Sequence, residues 1–526
     1  MQADSVEQPL DYQSARRFDW RSDFFWPLIP SEIGGLFVDA IHAYLDLAAN
    51  KKSDLDRQLL LATPHFLGNV FGAYEKALCI QHGESAGVRF YSESPEFSYL
   101  RDANKNVKKL AEMVRAPFRV TPPRHPIVRS LINTSRWTEA WNFPATITSP
   151  SIHSVSVNDL LIDVAKQSSD CIVYRDAASI LERARAQCHR PSNSDALSDL
   201  ADEVSSLLTP ATVTLEPCRQ NLRELIKAYA LLSFELVIQD LMALRSTRKL
   251  PREVWSATGG KYVPRLVGLE VIRRGGTVVR FDHGGSAAMT TLFEPIVITE
   301  LCASTRFVMA TPALAKLGNE LANDQHGKSA THCSITGARG FPHHQALMAM
   351  PRQQTKKRKT VMYLSGAMFS GRKNPSHSIS ELVYVDWMIR FTEELNRLPV
   401  DLICKPHPDS ISGDGHHPLE SSAKMELRLF EDVIDTADVF VFDIVNSTTF
   451  WETVVCTSRP IIYVDIGNIT VNPSINDMLR DRCRIIDVTY DDRNLPQIDS
   501  EEISDAVLSA PKEVDPSGFR DLFLGN

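Results

Sequence analysis

The feature that most restricts the fold is an alternation in the last third of the chain. Short apolar, β-branched runs stand at TVMYLSG (360–366), VDLICKPHP (400–408), DVFVFD (438–443), RPIIYVD (459–465) and CRIIDVT (483–489). Between them lie stretches with helical spacing: HSISELVYVDWMIRFTEELNRL (377–398), a segment near Lys424 to Asp435, and one opening near Ser447. Strands that alternate with helices build a parallel, doubly wound sheet, whose ligands gather at the carboxyl ends of the strands.

A related texture begins near Thr277, where TVVRF (277–281), PIVITEL (295–301) and RFVMATP (306–312) read as buried strands. A less regular stretch from Ala322 to Lys359 separates the two series. The first 250 residues read mostly as helices, with 222–250 repeating apolar residues at three and four as a core helix does. The Pro-rich stretch 116–128 and the polar stretch 191–199 read as loops or boundaries. A chain of 526 residues exceeds one compact core, so two large domains are expected.

The formal charge of -8 argues against nucleic acid as the main partner, because phosphate binding concentrates Lys and Arg. The local run Lys356 to Lys359 reads as a solvated linker, or as a patch near anionic lipid or phosphate. Nine scattered cysteines without a C-x-x-C pair favour reduced thiols in a cytoplasmic setting over disulfides or zinc. No stretch is apolar for 18 residues and the first twenty lack a signal-peptide core, so membrane contact is expected to be peripheral.

Three segments at strand ends carry the chemistry. Asp282-His283-Gly284-Gly285 follows TVVRF; its glycines permit positive φ and close backbone approach, and Asp282 and His283 are two candidate bases. Lys405-Pro406-His407-Pro408 follows VDLIC; the prolines stiffen the loop that projects His407, and Lys405 adds positive charge for a phosphate. Asn446-Ser447-Thr448-Thr449-Phe450-Trp451-Glu452 follows DVFVFD. There Ser447 or Thr448 would cap a helix whose first amides bind an anion, and Glu452 lies one turn on, where it could accept from ribose hydroxyls. His343-His344 and His416-His417 read as loop histidines, the first pair exposed. No Asp-x-Asp at a strand end suggests a bridging metal.

The order Asp-His-Gly-Gly, Lys-Pro-His-Pro, Ser-Thr-Thr with a following Glu resembles bacterial GT-B glycosyltransferases of surface-polysaccharide synthesis. It is similar to CMP-Kdo and CMP-sialic-acid transferases, with their acidic-acidic-Gly, His-Pro and Ser-Ser/Thr motifs, and to CDP-glycerol glycerophosphotransferases, with His-Gly, His-Pro and Ser-Ser. The likeness spans roughly residues 275 to 470; His283 stands where a second acidic residue is usual, so the base is Asp282 or His283.

This resemblance implies an α/β, GT-B-like fold: two Rossmann-like domains facing a cleft, with a largely helical N-terminal elaboration. Residues 1–355 would form the acceptor side and 356–526 the nucleotide-donor side. It further implies an inverting, metal-independent transfer with no cofactor. Asp282, His283 and His407 would be catalytic; Gly284, Gly285, Lys405, Ser447, Thr448, Thr449 and Glu452 would bind the donor or its phosphate. The expected partners are a CMP-linked donor first, such as Kdo or a sialic-acid relative, and a glycan or lipid-linked glycan acceptor at the inner membrane. CDP-polyol phosphotransfer, UDP-sugar transfer or epimerisation, and a non-catalytic nucleotide-binding subunit are the alternatives.

Overall fold

The computed structural model describes residues 6–16, 25–103, 107–115, 152–168, 170, 172–187, 195–248, 250–326, 333–349, 358–367, 373, 378–407, 410, 416–467 and 469–525. The Pro-rich stretch 116–128, Lys356, Lys357 and Pro408 lie outside them.

Fourteen strands are present among the described residues. β1 (Val6–Pro9) and β2 (Val88–Tyr91) form a small parallel pair. β3 (Ile152–Ser154), β4 (Ile172–Tyr174), β5 (Glu253–Ser256), β6 (Thr277–Phe281), β7 (Arg306–Met309) and β8 (Ser334–Gly337) form one six-stranded sheet in the order β4-β3-β5-β6-β7-β8. β9 (Thr360–Leu364), β10 (Asp401–Lys405), β11 (Lys424–Met425), β12 (Val439–Phe442), β13 (Ile461–Asp465) and β14 (Cys483–Asp487) form the other, in the order β11-β10-β9-β12-β13-β14. All pairings in both sheets are parallel.

Numbered within its own sheet, the second runs 3-2-1-4-5-6, the Rossmann order, and the first runs 2-1-3-4-5-6, which reverses once in the same way. Two Rossmann-like α/β lobes are therefore present, as the strand-and-helix alternation led one to expect. Their strand order reverses between β3 and β5 in the first lobe and between β9 and β12 in the second. Loops diverge at those points and leave a crevice at the carboxyl ends.

The second lobe folds where its apolar runs are. Every residue of β9 and β12 is buried, and the Glu381–Asn396 helix covers the sheet with Leu382, Val385, Trp387, Met388 and Phe391. The segment near 424–435, expected to be a helix, instead forms β11 and a loop with Leu427 and Leu429 exposed, ending in a 3-10 turn at Ile434–Thr436.

In the first lobe the sheet begins at Ile152, well before the texture change at Thr277. Its helical insert, including the 31-residue Glu216–Ser246 core helix, runs between β4 and β5. PIVITEL is helical, not a strand: Pro295 occupies the first turn of the Glu294–Thr299 helix, where its fixed φ suits a helix and its missing N–H costs nothing. Of the polar 191–199 stretch, 191–194 lie outside the described residues and 195–199 open the Asp195–Leu208 helix; the irregular 322–359 stretch contains β8 and the Pro342–Met348 helix.

Candidate functional site at the junction of the lobes

β6 delivers Asp282 to its carboxyl end and the neighbouring backbone fixes it there. The Asp282 amide donates to Val308 O (2.8 Å), prolonging the pairing with β7. Its carbonyl accepts from Asn158 Nδ2 (2.9 Å), and the Asn158 Oδ1 in turn accepts from Leu161 N (2.9 Å) at the start of the Asp159–Gln167 helix. The Asp282 side chain is buried, and its Oδ2 has no hydrogen-bond partner among the described residues. Burial pushes this carboxyl up to about 7, against the backbone amides of His283 and Gly285, which favour its charged form. His283, the other candidate base, is exposed.

The two glycines that follow permit contact with the second lobe. Gly284 (φ +91°) and Gly285 (φ +78°) adopt left-handed backbone. A Cβ at Gly284 would strike the Thr448 side chain, with Cγ2 at 2.7 Å; one at Gly285 would strike Phe523 and Phe341, the latter at 2.9 Å. Just beyond, Thr290 bridges to Val471, Thr291 N donates to Thr470 O (3.0 Å), and Asn472 Nδ2 donates to Ala288 O (3.0 Å). The loop after β6 is thus bound to the second lobe along its length.

Thr448 opens the Thr448–Cys456 helix. Ser447 holds the N-cap position, with extended backbone, and its carbonyl accepts from Phe450 N (3.1 Å) and Trp451 N (3.3 Å). Its hydroxyl, expected to cap the helix, makes no capping bond to the described residues. Ser447, Thr448 and Thr449 are half-buried at the helix N-terminus, where the backbone dipoles favour an anion.

One turn on, Glu452 is buried. Its Oε1 lies 3.4 Å from His343 Nε2, and Glu431 Oε1 lies 3.7 Å from the same nitrogen. Glu452 holds the His343 imidazole above its ordinary range. The histidine pair is on the Pro342–Met348 helix and not in an exposed loop: His343 is half-buried, and burial pushes His344 down to about 3. Of the second pair, His416 meets Glu420 (3.2 Å) and His417 is buried.

Lys405 ends β10, opposite Leu364 of β9, which in turn lies opposite Phe442 of β12. The His407 and Ser447 loops therefore leave the same edge of the sheet on either side of the reversal, their strands about 10 Å apart at two strand spacings. Lys405 Nζ donates to Arg428 O, and burial lowers its pKa. His407 is half-buried. The structure so brings the Asp282 and Thr448 segments into contact and sets His407 on the same edge of the second sheet as Ser447.

Sequence reasoning missed the residues between these loops. Ser365, directly after β9, has a buried hydroxyl without a hydrogen-bond partner among the described residues. Asp443, directly after β12, accepts from the Tyr363 and Tyr384 hydroxyls and from Trp387 Nε1 (3.1 Å), while Tyr384 also receives the Gly366 amide. Burial pushes Asp443 up to about 6. The available signal was position alone: both residues directly follow a strand run.

No protein-family model and no curated protein matches the sequence. Among solved structures, the chain is similar to a UDP-glucosyltransferase from Polygonum tinctorium capable of glucosylating indoxyl, solved with 3,4-dichloroaniline. The identity is 11%, the TM-score 0.34, and the match covers 72% of this chain and 94% of that one. No described helix is long and apolar enough to cross a membrane.

Proposed function

We propose that the chain transfers a sugar from a nucleotide donor to a hydroxyl acceptor by one displacement with inversion. The observation that supports this reading is the apposition of the Asp282 loop with the N-terminus of the Thr448–Cys456 helix. A buried carboxylate oxygen without a partner among the described residues and an anion-binding helix end meet where two Rossmann-like lobes join. Residues 356–526 are the donor lobe in this reading, and 1–355 the acceptor side.

Asp282 takes the acceptor proton on Oδ2. A carboxyl near 7 is matched to that task, since it is partly ionised at neutral pH and still basic enough to accept. Exposed His283 lacks that environment and is the lesser candidate. As the bond to the anomeric carbon breaks, negative charge grows on the departing phosphate. Lys405, His407 and the helix end carrying Ser447, Thr448 and Thr449 stabilise it, because donors fixed where charge develops need no reorganisation. Gly284 and Gly285 let the acceptor side close on the donor. Glu452 Oε2 accepts from the ribose. No covalent nucleophile is required.

The donor proposed first is a CMP-linked ulosonic acid, such as Kdo or a sialic-acid relative, transferred to a surface-polysaccharide glycan or lipid-linked glycan; a CDP-polyol is second and a UDP-sugar third. Thermal shifts with CMP, CDP and UDP rank these, with CMP expected to give the largest. His407→Ala should lower turnover by about 10²- to 10³-fold with the fold intact. Near-normal transfer in that variant would reject the assignment.

A further inference from the structure

His343, Glu431 and Glu452 come from three separate segments and from both lobes. The histidine sits on the helix after β8; Glu431 lies between β11 and β12, and Glu452 on the helix after β12. One ligand atom from each lies within 4.8 Å of the other two. The His343 nitrogen is 3.4 Å from one carboxylate oxygen and 3.7 Å from the other. Atoms around a tetrahedral zinc, with bonds of about 2.1 Å, stand roughly 3.4 Å apart. The two nitrogen–oxygen distances are close to that spacing, and the two carboxylate oxygens lie within 4.8 Å of each other.

Charge points the same way. Two carboxylates converge on one imidazole, and the Glu452 side chain is only 7% exposed. A protonated imidazole balances only one of them; Glu431, a third exposed, also feels the charge of Lys405, whose ammonium donates to Arg428 O. Burying the Glu452 carboxylate is costly, and coordination to a cation beside the imidazole is one way to hold it. A neutral imidazole with two carboxylates neutralises a divalent ion. The mixed nitrogen and oxygen set suits zinc better than magnesium, which prefers an all-oxygen shell.

We infer that His343, Glu431 and Glu452 form a zinc-class divalent-cation site that clasps the two lobes together, with water completing the coordination. Glu452 contributes Oε1, so the ion leaves Oε2 to its other role. The site lies beside the proposed donor-phosphate groups, since Glu452 is one turn beyond Thr448, yet it does not depend on the transferase reading.

The test is isothermal titration of the full chain with zinc chloride after dialysis against a chelator, with no nucleotide present. One zinc per chain is expected, accompanied by a rise in melting temperature. His343→Ala and Glu431→Gln should each weaken zinc binding by at least ~100-fold. Glu431→Gln is isosteric at a half-buried loop position and serves even where the histidine variant folds poorly. Absence of stoichiometric zinc binding by the wild-type chain overturns the inference, as does unchanged binding in Glu431→Gln. Loss of transfer in His407→Ala bears on the function alone and leaves this site unaffected.

Discussion

Asp282 has its carboxyl pushed to about 7 by burial, and that single displacement yields two opposite expectations. As a base it must be ionised, so kcat/KM should rise with pH and level off above about 7. For stability the sign is reversed. A carboxyl whose folded-state pKa lies above its unfolded value of ~3.9 favours the fold fully below that value, and the contribution is lost as pH rises through about 7. Asp282→Asn should therefore cost about 10²- to 10⁴-fold in turnover, the usual share of general base catalysis, and yet be more stable than the wild type at pH 8, by up to ~4 kcal/mol. Kinetics and calorimetry on one preparation check both arms. A variant less stable at pH 8 than its parent would mean that the carboxylate is stabilised by partners and is no poised base.

Between elements, the decisive contact is a glycine against a helix start. Gly284→Ala must place a Cβ into the Thr448 side chain at φ +91°, so a loss of ~1–3 kcal/mol and a fall in transfer are expected. Thr448→Ala in the same chain removes the γ atoms and should restore part of the stability, leaving the backbone strain; urea melts of the single and double variants measure the coupling. If the two substitutions add without interaction, the apposition is not real. The same elements mark how far the sequence could be read. β9, β10, β12, β13 and β14 were legible because buried β-branched runs have few other places to go in an α/β fold. β3, β4 and β8 were not: each has only three or four residues, and Ser334 and Thr336 make β8 read as loop. Pro295 turned a strand-like run into a helix. Strand ends at Asp282, His407 and Ser447 follow from local pattern, whereas the partnership of His343 with Glu452 joins residues more than a hundred positions apart and has no local trace.

For the molecule as a whole, the Ser517–Leu524 helix is the second fastening between the lobes. Phe523 stacks toward Trp451 of the second lobe (ring centroids 6.2 Å apart) and meets Phe341 after β8 (6.4 Å), while it also backs Gly285. Thr311 Oγ1 of the first lobe donates to Leu522 O (2.6 Å), and Arg520 Nε donates to Val455 O (3.0 Å). A buried phenylalanine removed from any core costs about 3–5 kcal/mol, so stability alone does not reveal a role in joining lobes. Comparison with a second phenylalanine does. Phe391 is equally buried, but it stacks on Trp387 (5.0 Å) inside the second lobe. Phe523→Ala and Phe391→Ala should both lower the melting temperature by similar amounts. Assayed well below either melt, Phe391→Ala should keep most of its transfer, because Asp282 and Thr448 still meet. Phe523→Ala should lose at least tenfold, because the glycine loop has lost the ring against which it is set. Equal activity in the two variants would show that the terminal helix merely adds core, and that the lobes are held in register by the 290–291 and 470–472 strand-like contact without it.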